Sequence, residues 1–169
     1  MADSTDNAGN RRILIVDDDP DIIEMVRYAL ENPRSSDVVL VSSVARRAQQ
    51  TAELIGSVWE VDPDVAEGIH EVQVGDLEDR SDDDAHGVFK DVVERWHRGD
   101  LEARLPGGES LAMVYDRYLP VIDDLRAGHL EGADQRDVVV VSHGAAIRLI
   151  AARLAGVDPG FAAETHLRN

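Results

Sequence analysis

Cysteine is absent from this chain, which excludes a disulfide, a thiolate metal site and a cysteine nucleophile together. Positive charge is scarce: 17 Lys and Arg stand against 34 Asp and Glu, a formal net charge of −17 at pH 7. That imbalance argues against nucleic acid and anionic membrane surfaces as partners. Lys90 is the only lysine, so any anion site must be built from Arg. No apolar run approaches the ~20 residues needed to cross a bilayer. The opening ten residues, MADSTDNAGN, are polar and acidic, unlike a signal peptide. A disordered tail over residues 1–10 and a cytoplasmic location are the expectations.

What is present is an ordinary globular balance, 43% hydrophobic and 30% charged, in a length suited to a single domain over residues 11–169. One pattern occurs three times: a short β-branched run, a polar turn, then an amphipathic helix. The first copy is Ile13-Leu-Ile-Val16, then Asp17 to Asp19, then a helix from Pro20 to about Glu31. The second is Asp37-Val-Val-Leu-Val41, Ser42-Ser43, then a helix to about Ile55 with Gly56 as its stop. The third is Val138-Val-Val-Val141, Ser142-His143-Gly144, then Ala145 to Ala155 with Gly156 as its stop. Two further helices are predicted, over about Asp83–Arg98 and about Glu109–Arg126, the latter kinked at Pro120. The acidic stretch Glu78 to Asp84 lacks calcium-loop spacing and reads as a solvated turn.

Continuously apolar strands belong in a parallel sheet covered on both faces. The predicted fold is therefore a three-layer α/β domain with a mainly parallel sheet. Ligands of such sheets bind outside the carboxyl ends of the strands. That edge collects Asp17 to Asp19, Ser42 and Ser43 with Arg46 and Arg47 beyond, and His143-Gly144. A strand leading through Gly into a helix N-terminus also offers backbone N–H groups to an anion.

Taken singly, the residues at this edge have plainer readings. Ser-Ser before an Arg-rich helix serves as an N-cap, Glu71 suits a surface carboxylate, and His143 suits a satisfied histidine at a strand end. The other five histidines carry no pattern and read as surface residues.

Four stretches in this order resemble the histidine phosphatase superfamily, with its phosphoglycerate mutase-like fold. Ser42-Ser-Val-Ala-Arg-Arg-Ala-Gln-Gln-Thr-Ala52 is similar to the family's phosphate-arginine motif. Glu71-Val-Gln-Val-Gly-Asp-Leu-Glu78 is similar to its acid/base stretch, and Pro106-Gly-Gly-Glu-Ser110 to the start of a long helix. Val141-Ser-His-Gly-Ala-Ala-Ile-Arg148 is similar to the second-histidine motif. The resemblance covers about residues 37–169 and implies a small phosphorylated substrate. It implies phosphate binding by Arg47, Ser42, His143 and Gly144, and a proton donor in Glu71. The chemistry is coherent: Arg offers a planar fork to phosphate, a cationic His143 adds charge, and Glu71 can protonate a departing alkoxide. The family continues into a further strand beyond the equivalent of Asn169.

The family's first strand runs into Arg-His-Gly, whose His is the nucleophile. Here Ile13–Val16 is followed by Asp17-Asp18-Asp19-Pro20, which sets Asp17 at the arginine and Asp18 at the histidine. At ~6 Å and an effective dielectric of ~20, exchanging an Arg for an Asp swings roughly 5–6 kcal/mol, about four decades in phosphate affinity. Residues 11–31, opening Arg12-Ile-Leu-Ile-Val-Asp-Asp-Asp-Pro-Asp-Ile-Ile-Glu24, resemble instead the start of a response-regulator receiver, whose paired aspartates hold Mg²⁺. That resemblance implies a metal role for Asp17 and Asp18. The later phosphoacceptor Asp and terminal Lys of a receiver are missing.

Three functions follow: a phosphomonoester hydrolase or mutase-like enzyme, impaired by the lost nucleophile; a silent binding or scaffold domain; or a Mg²⁺-dependent signalling module. In the first, Asp18 could itself accept the phosphoryl group, since carboxylates form such intermediates. No organic cofactor is implied, and no motif speaks to oligomeric state.

Overall fold

Val138 to Val141 are all fully buried, as a strand in the middle of a two-sided parallel sheet must be. The computed structural model describes residues 13–16, 37–131 and 134–156. Its four-stranded sheet has the order β1-β4-β2-β3, every pair parallel, with β1 at Ile13–Val16, β2 at Val38–Ser43, β3 at Asp64–Ala66 and β4 at Asp137–Val141. The helices are α1 (Arg46–Trp59), α2 (Asp83–His97), α3 (Leu111–His129) and α4 (Gly144–Leu154), with a 3-10 turn at Gly75–Leu77.

The side-chain alternation of the strands divides the core into two layers. Val38, Leu40, Val139, Val141 and Val16 pack with Ala48, Ala52, Ile55 and Trp59 of α1. Val39, Val41, Val138 and Val140 face the other way, onto a larger cluster that includes Trp96 of α2, Val114, Tyr118 and Ile122 of α3, and Ile150 of α4. This is the three-layer α/β fold that the apolar runs predict.

Several boundaries differ, each for a physical reason. β2 continues through Ser42 and Ser43, which were expected to form the turn, because Ser42 pairs with Val141 and Val65, and Ser43 with Ala66. The short, exposed β3 carries no apolar run and was not expected. Helix α1 runs past Gly56 to Trp59, and Glu60 with φ 57° ends it. Gly56 serves close approach instead of termination: a Cβ there would lie 2.3 Å from the carbonyl oxygen of Val61. Helix α3 extends to His129 and holds Pro120 inside it. Asp82 and Ser110 cap α2 and α3 by accepting from Ala85 and Met113 backbone N–H groups. Gly156, at φ 63°, follows α4 as predicted. The helix expected from Pro20, the aspartates Asp17 to Asp19, and the tail over residues 1–10 lie outside the described residues.

Candidate active site

The carboxyl ends of β1, β2 and β4 meet at one edge, where the Ser142 N–H donates to the Val16 carbonyl across 2.8 Å. His143 follows there, 1% exposed, as the N-cap residue of α4. Its Nε2 lies 2.7 Å from Ser43 Oγ, and its Nδ1 lies 2.8 Å from Arg47 Nη2. A guanidinium only donates, so Nδ1 accepts. The opposite ring nitrogen, Nε2, faces the Ser43 hydroxyl.

Ser43, rather than Ser42, makes the contact. By strand alternation Ser42 shares the face of Val38 and Leu40; it is fully buried, and its Oγ has no hydrogen-bond partner among the described residues. Arg47 sits on the exposed first turn of α1, which aims it back over the strand ends.

Glu71 reaches the same place from the other side. Its Oε1 accepts from the N–H of Val72 and of Ala146, both at 2.9 Å, and its Oε2 from the N–H of Ala145 at 3.2 Å. The carboxylate thus caps the N-terminus of α4, the helix that His143 begins and whose first residue is Gly144. Arg47, His143, Gly144 and Glu71 are brought together at one sheet edge.

The segment bearing Glu71 lies on the Pro106-Gly-Gly-Glu-Ser110 stretch. Asp76 N–H donates to the Pro106 carbonyl at 2.8 Å, and Glu109 N–H to the Gln73 carbonyl at 2.9 Å. A Cβ on Gly75 would stand 2.2 Å from Gly107 backbone, and one on Gly108 2.4 Å from the Gln73 carbonyl, so side chains are excluded there. Beneath it, Arg117 and Glu109 form a largely buried ion pair at 2.8 Å. This pair was missed from sequence. Glu109 was legible only as part of a motif, and nothing near Arg117 announces its partners.

Burial alone pushes the Glu109 carboxyl up, but the Arg117 hydrogen bond and the Gln73 amide outweigh it and hold it below the ordinary value. His70, expected at the surface, is half-buried beside Arg117, and burial followed by that cation lowers it. Tyr118 is pushed up to about 12, chiefly by burial; its hydroxyl donates to Ser142 Oγ, which in turn donates to the Ile69 carbonyl. Among the described residues no group of three or more His, Asp or Glu is placed to hold a metal, and no helix is long and apolar enough to cross a membrane. A cleft of about 400 Å³ beside Val38, Asp64 and His129 opens at the opposite, amino edge and shares none of these residues.

A family model described as histidine phosphatase superfamily (branch 1) matches residues 23–169. The chain belongs to this superfamily. The match starts at residue 23, earlier than the residue 37 expected. A protein from Salmonella choleraesuis described as a probable phosphoglycerate mutase GpmB is 28% identical over 144 residues, covering 82% of this chain and 63% of that protein. The Citrobacter koseri counterpart is 28% identical over 134 residues, 77% of this chain and 59% of its own. The chain therefore spans about three-fifths of the curated relatives it matches. Among solved structures, mycobacterial glucosyl-3-phosphoglycerate phosphatase in complex with VO3 is 28% identical with a TM-score of 0.65, covering 83% of this chain and 68% of that one. A structure titled Mycobacterial hydrolase 1 is 26% identical with a TM-score of 0.65, covering 83% and 65%.

Proposed function

We propose that this histidine phosphatase domain recognises a small phosphomonoester at the edge where Arg47, His143 and Glu71 meet, and that its turnover is impaired. The observation that carries this is the 2.8 Å contact of Arg47 Nη2 with His143 Nδ1, beside a helix N-terminus capped by Glu71. Two nitrogen-bearing groups this close can share one phosphate, with Arg47 supplying the fork and the Gly144 end of α4 supplying dipole. Glu71, hydrogen-bonded to the Ala145 and Ala146 amides across the helix start, is the proton donor to the leaving oxygen. The relatives support a phosphorylated sugar acid or similar small ester, since one is described as a probable phosphoglycerate mutase and another as a glucosyl-3-phosphoglycerate phosphatase.

Impairment follows from the residues after β1. A phosphoryl group in flight needs an in-line nucleophile, and Asp17-Asp18 stand where the family has Arg-His. The test pairs calorimetric titration of inorganic phosphate with turnover of a phosphomonoester series, each with and without EDTA. Phosphate binding with slow, EDTA-insensitive turnover supports the reading. Absence of any phosphate binding overturns it. Binding without turnover favours the silent domain, and turnover that EDTA abolishes favours a Mg²⁺ bridged by Asp17 and Asp18.

A further inference from the structure

We infer that Arg117, locked to Glu109, is a positioning residue that sets where the Glu71 carboxylate stands. This rests on the reading of Glu71 as proton donor. An arginine has five N–H donors, and Arg117 uses every one. Nε donates to Glu109 Oε1 at 2.8 Å, and Nη2 to Glu109 Oε2 at 2.9 Å and to the Glu71 carbonyl at 3.0 Å. Nη1 donates to the carbonyls of Gly68 at 2.6 Å and His70 at 2.9 Å. Glu109 completes the grip from the far side, because its Oε2 accepts the Gln73 N–H at 2.9 Å and its own N–H donates to the Gln73 carbonyl.

The pair thereby holds the backbone at residues 68, 70, 71 and 73, on both sides of Glu71. Gly68 permits the approach: at φ 88° it packs so closely on α3 that a Cβ would lie 2.5 Å from the Arg117 carbonyl. These contacts all fall on the segment that carries Glu71. The clamp thus acts on the backbone that presents the proton donor. A loop carboxylate has no secondary structure of its own to aim it, and proton transfer requires hydrogen-bond geometry. Side-chain exposures of 16% for Arg117 and 7% for Glu109 keep water from competing for the fork.

The test uses the full chain with Arg117→Lys, which keeps the charge but not the fork, and Glu109→Gln, which keeps the volume. Amide exchange at Ala145 and Ala146, the N–H groups that Glu71 accepts from, is followed by NMR together with exchange in β4. In each variant those two amides are expected to exchange about tenfold faster while β4 is unchanged and phosphate affinity stays within about twofold. Unchanged exchange at Ala145 and Ala146 overturns the inference. So does faster exchange throughout β4, which marks the pair as general stabilisers. In turnover, Arg117→Lys is expected to lower kcat about ten- to a hundredfold at constant KM, and to add nothing in a Glu71→Gln background. Additive effects overturn it. A chain that turns over nothing counts against the enzyme reading alone, and the exchange measurements then decide the positioning.

Discussion

Arg47 and His143, 96 residues apart in the chain, stand 2.8 Å from each other, with Arg47 Nη2 donating to His143 Nδ1. The guanidinium is held at the strand edge by an imidazole that is itself oriented by Ser43. An arriving phosphate gains a fork already aimed over the site. Removing it in Arg47→Ala should weaken inorganic phosphate binding about ten- to a hundredfold, the worth of one charge-assisted contact, by calorimetric titration. Arg47→Lys should fall between, because a point charge replaces a bidentate fork. An unchanged affinity in Arg47→Ala would remove Arg47 from the site.

Glu71 separates acid catalysis from binding. Glu71→Gln keeps one oxygen, for the Val72 and Ala146 amides, but has no carboxyl proton to give. Turnover of an alkyl phosphate should drop about a hundredfold or more, whereas an aryl ester with a good leaving group should lose little. Phosphate affinity should hold. Equal losses on both esters would show that Glu71 has another role.

The Glu109–Arg117 pair makes stability depend on pH with a defined sign. The Glu109 carboxyl is held below 4.5, so its contribution is complete above that value and is lost as pH falls through the depressed one. His70 is likewise lowered from 6.5, so folding favours its neutral form, and acidification below 6.5 costs stability. Tm should therefore fall in two stages, one as pH drops below 6.5 and one only as it drops below 4.5, each roughly 2–4 °C. His70→Gln should remove the first stage and Glu109→Gln the second. A Tm that rises on acidification would contradict both assignments.

Asp17 and Asp18 are tested through the charge they carry. Mass spectrometry of the chain incubated with a phosphoryl donor should reveal no phosphohistidine, since no histidine follows β1. The double variant Asp17→Arg, Asp18→His should bind inorganic phosphate at least about tenfold more tightly, because repulsion becomes attraction. Unchanged affinity would mean that these aspartates do not face the phosphate. If Mg²⁺ restores turnover and Asp18→Asn abolishes it, the metal-bridged alternative stands.

The sequence by itself determined the layers of this protein. Four consecutive valines at Val138–Val141 can only be satisfied between two apolar faces, and α2, α3 and α4 follow from stripes at helical spacing with local caps or a stopping Gly156. It also brought Arg47 and His143 into view at the strand ends, and Glu71 through the resemblance of its stretch to the family's acid/base motif. Tertiary structure alone decided the rest. The three-residue β3 exists because Ser42 and Ser43 offer it a ladder, and its own residues announce nothing. Gly56 reads locally as a helix stop, yet its role is set by Val61 returning over it. The partner of His143 Nδ1 comes from 96 residues away, and the aim of Glu71 depends on carbonyls captured by an arginine 46 residues further on. Local propensity and periodicity act over a turn or a strand; which backbone group meets which side chain across such separations is settled only when the layers pack.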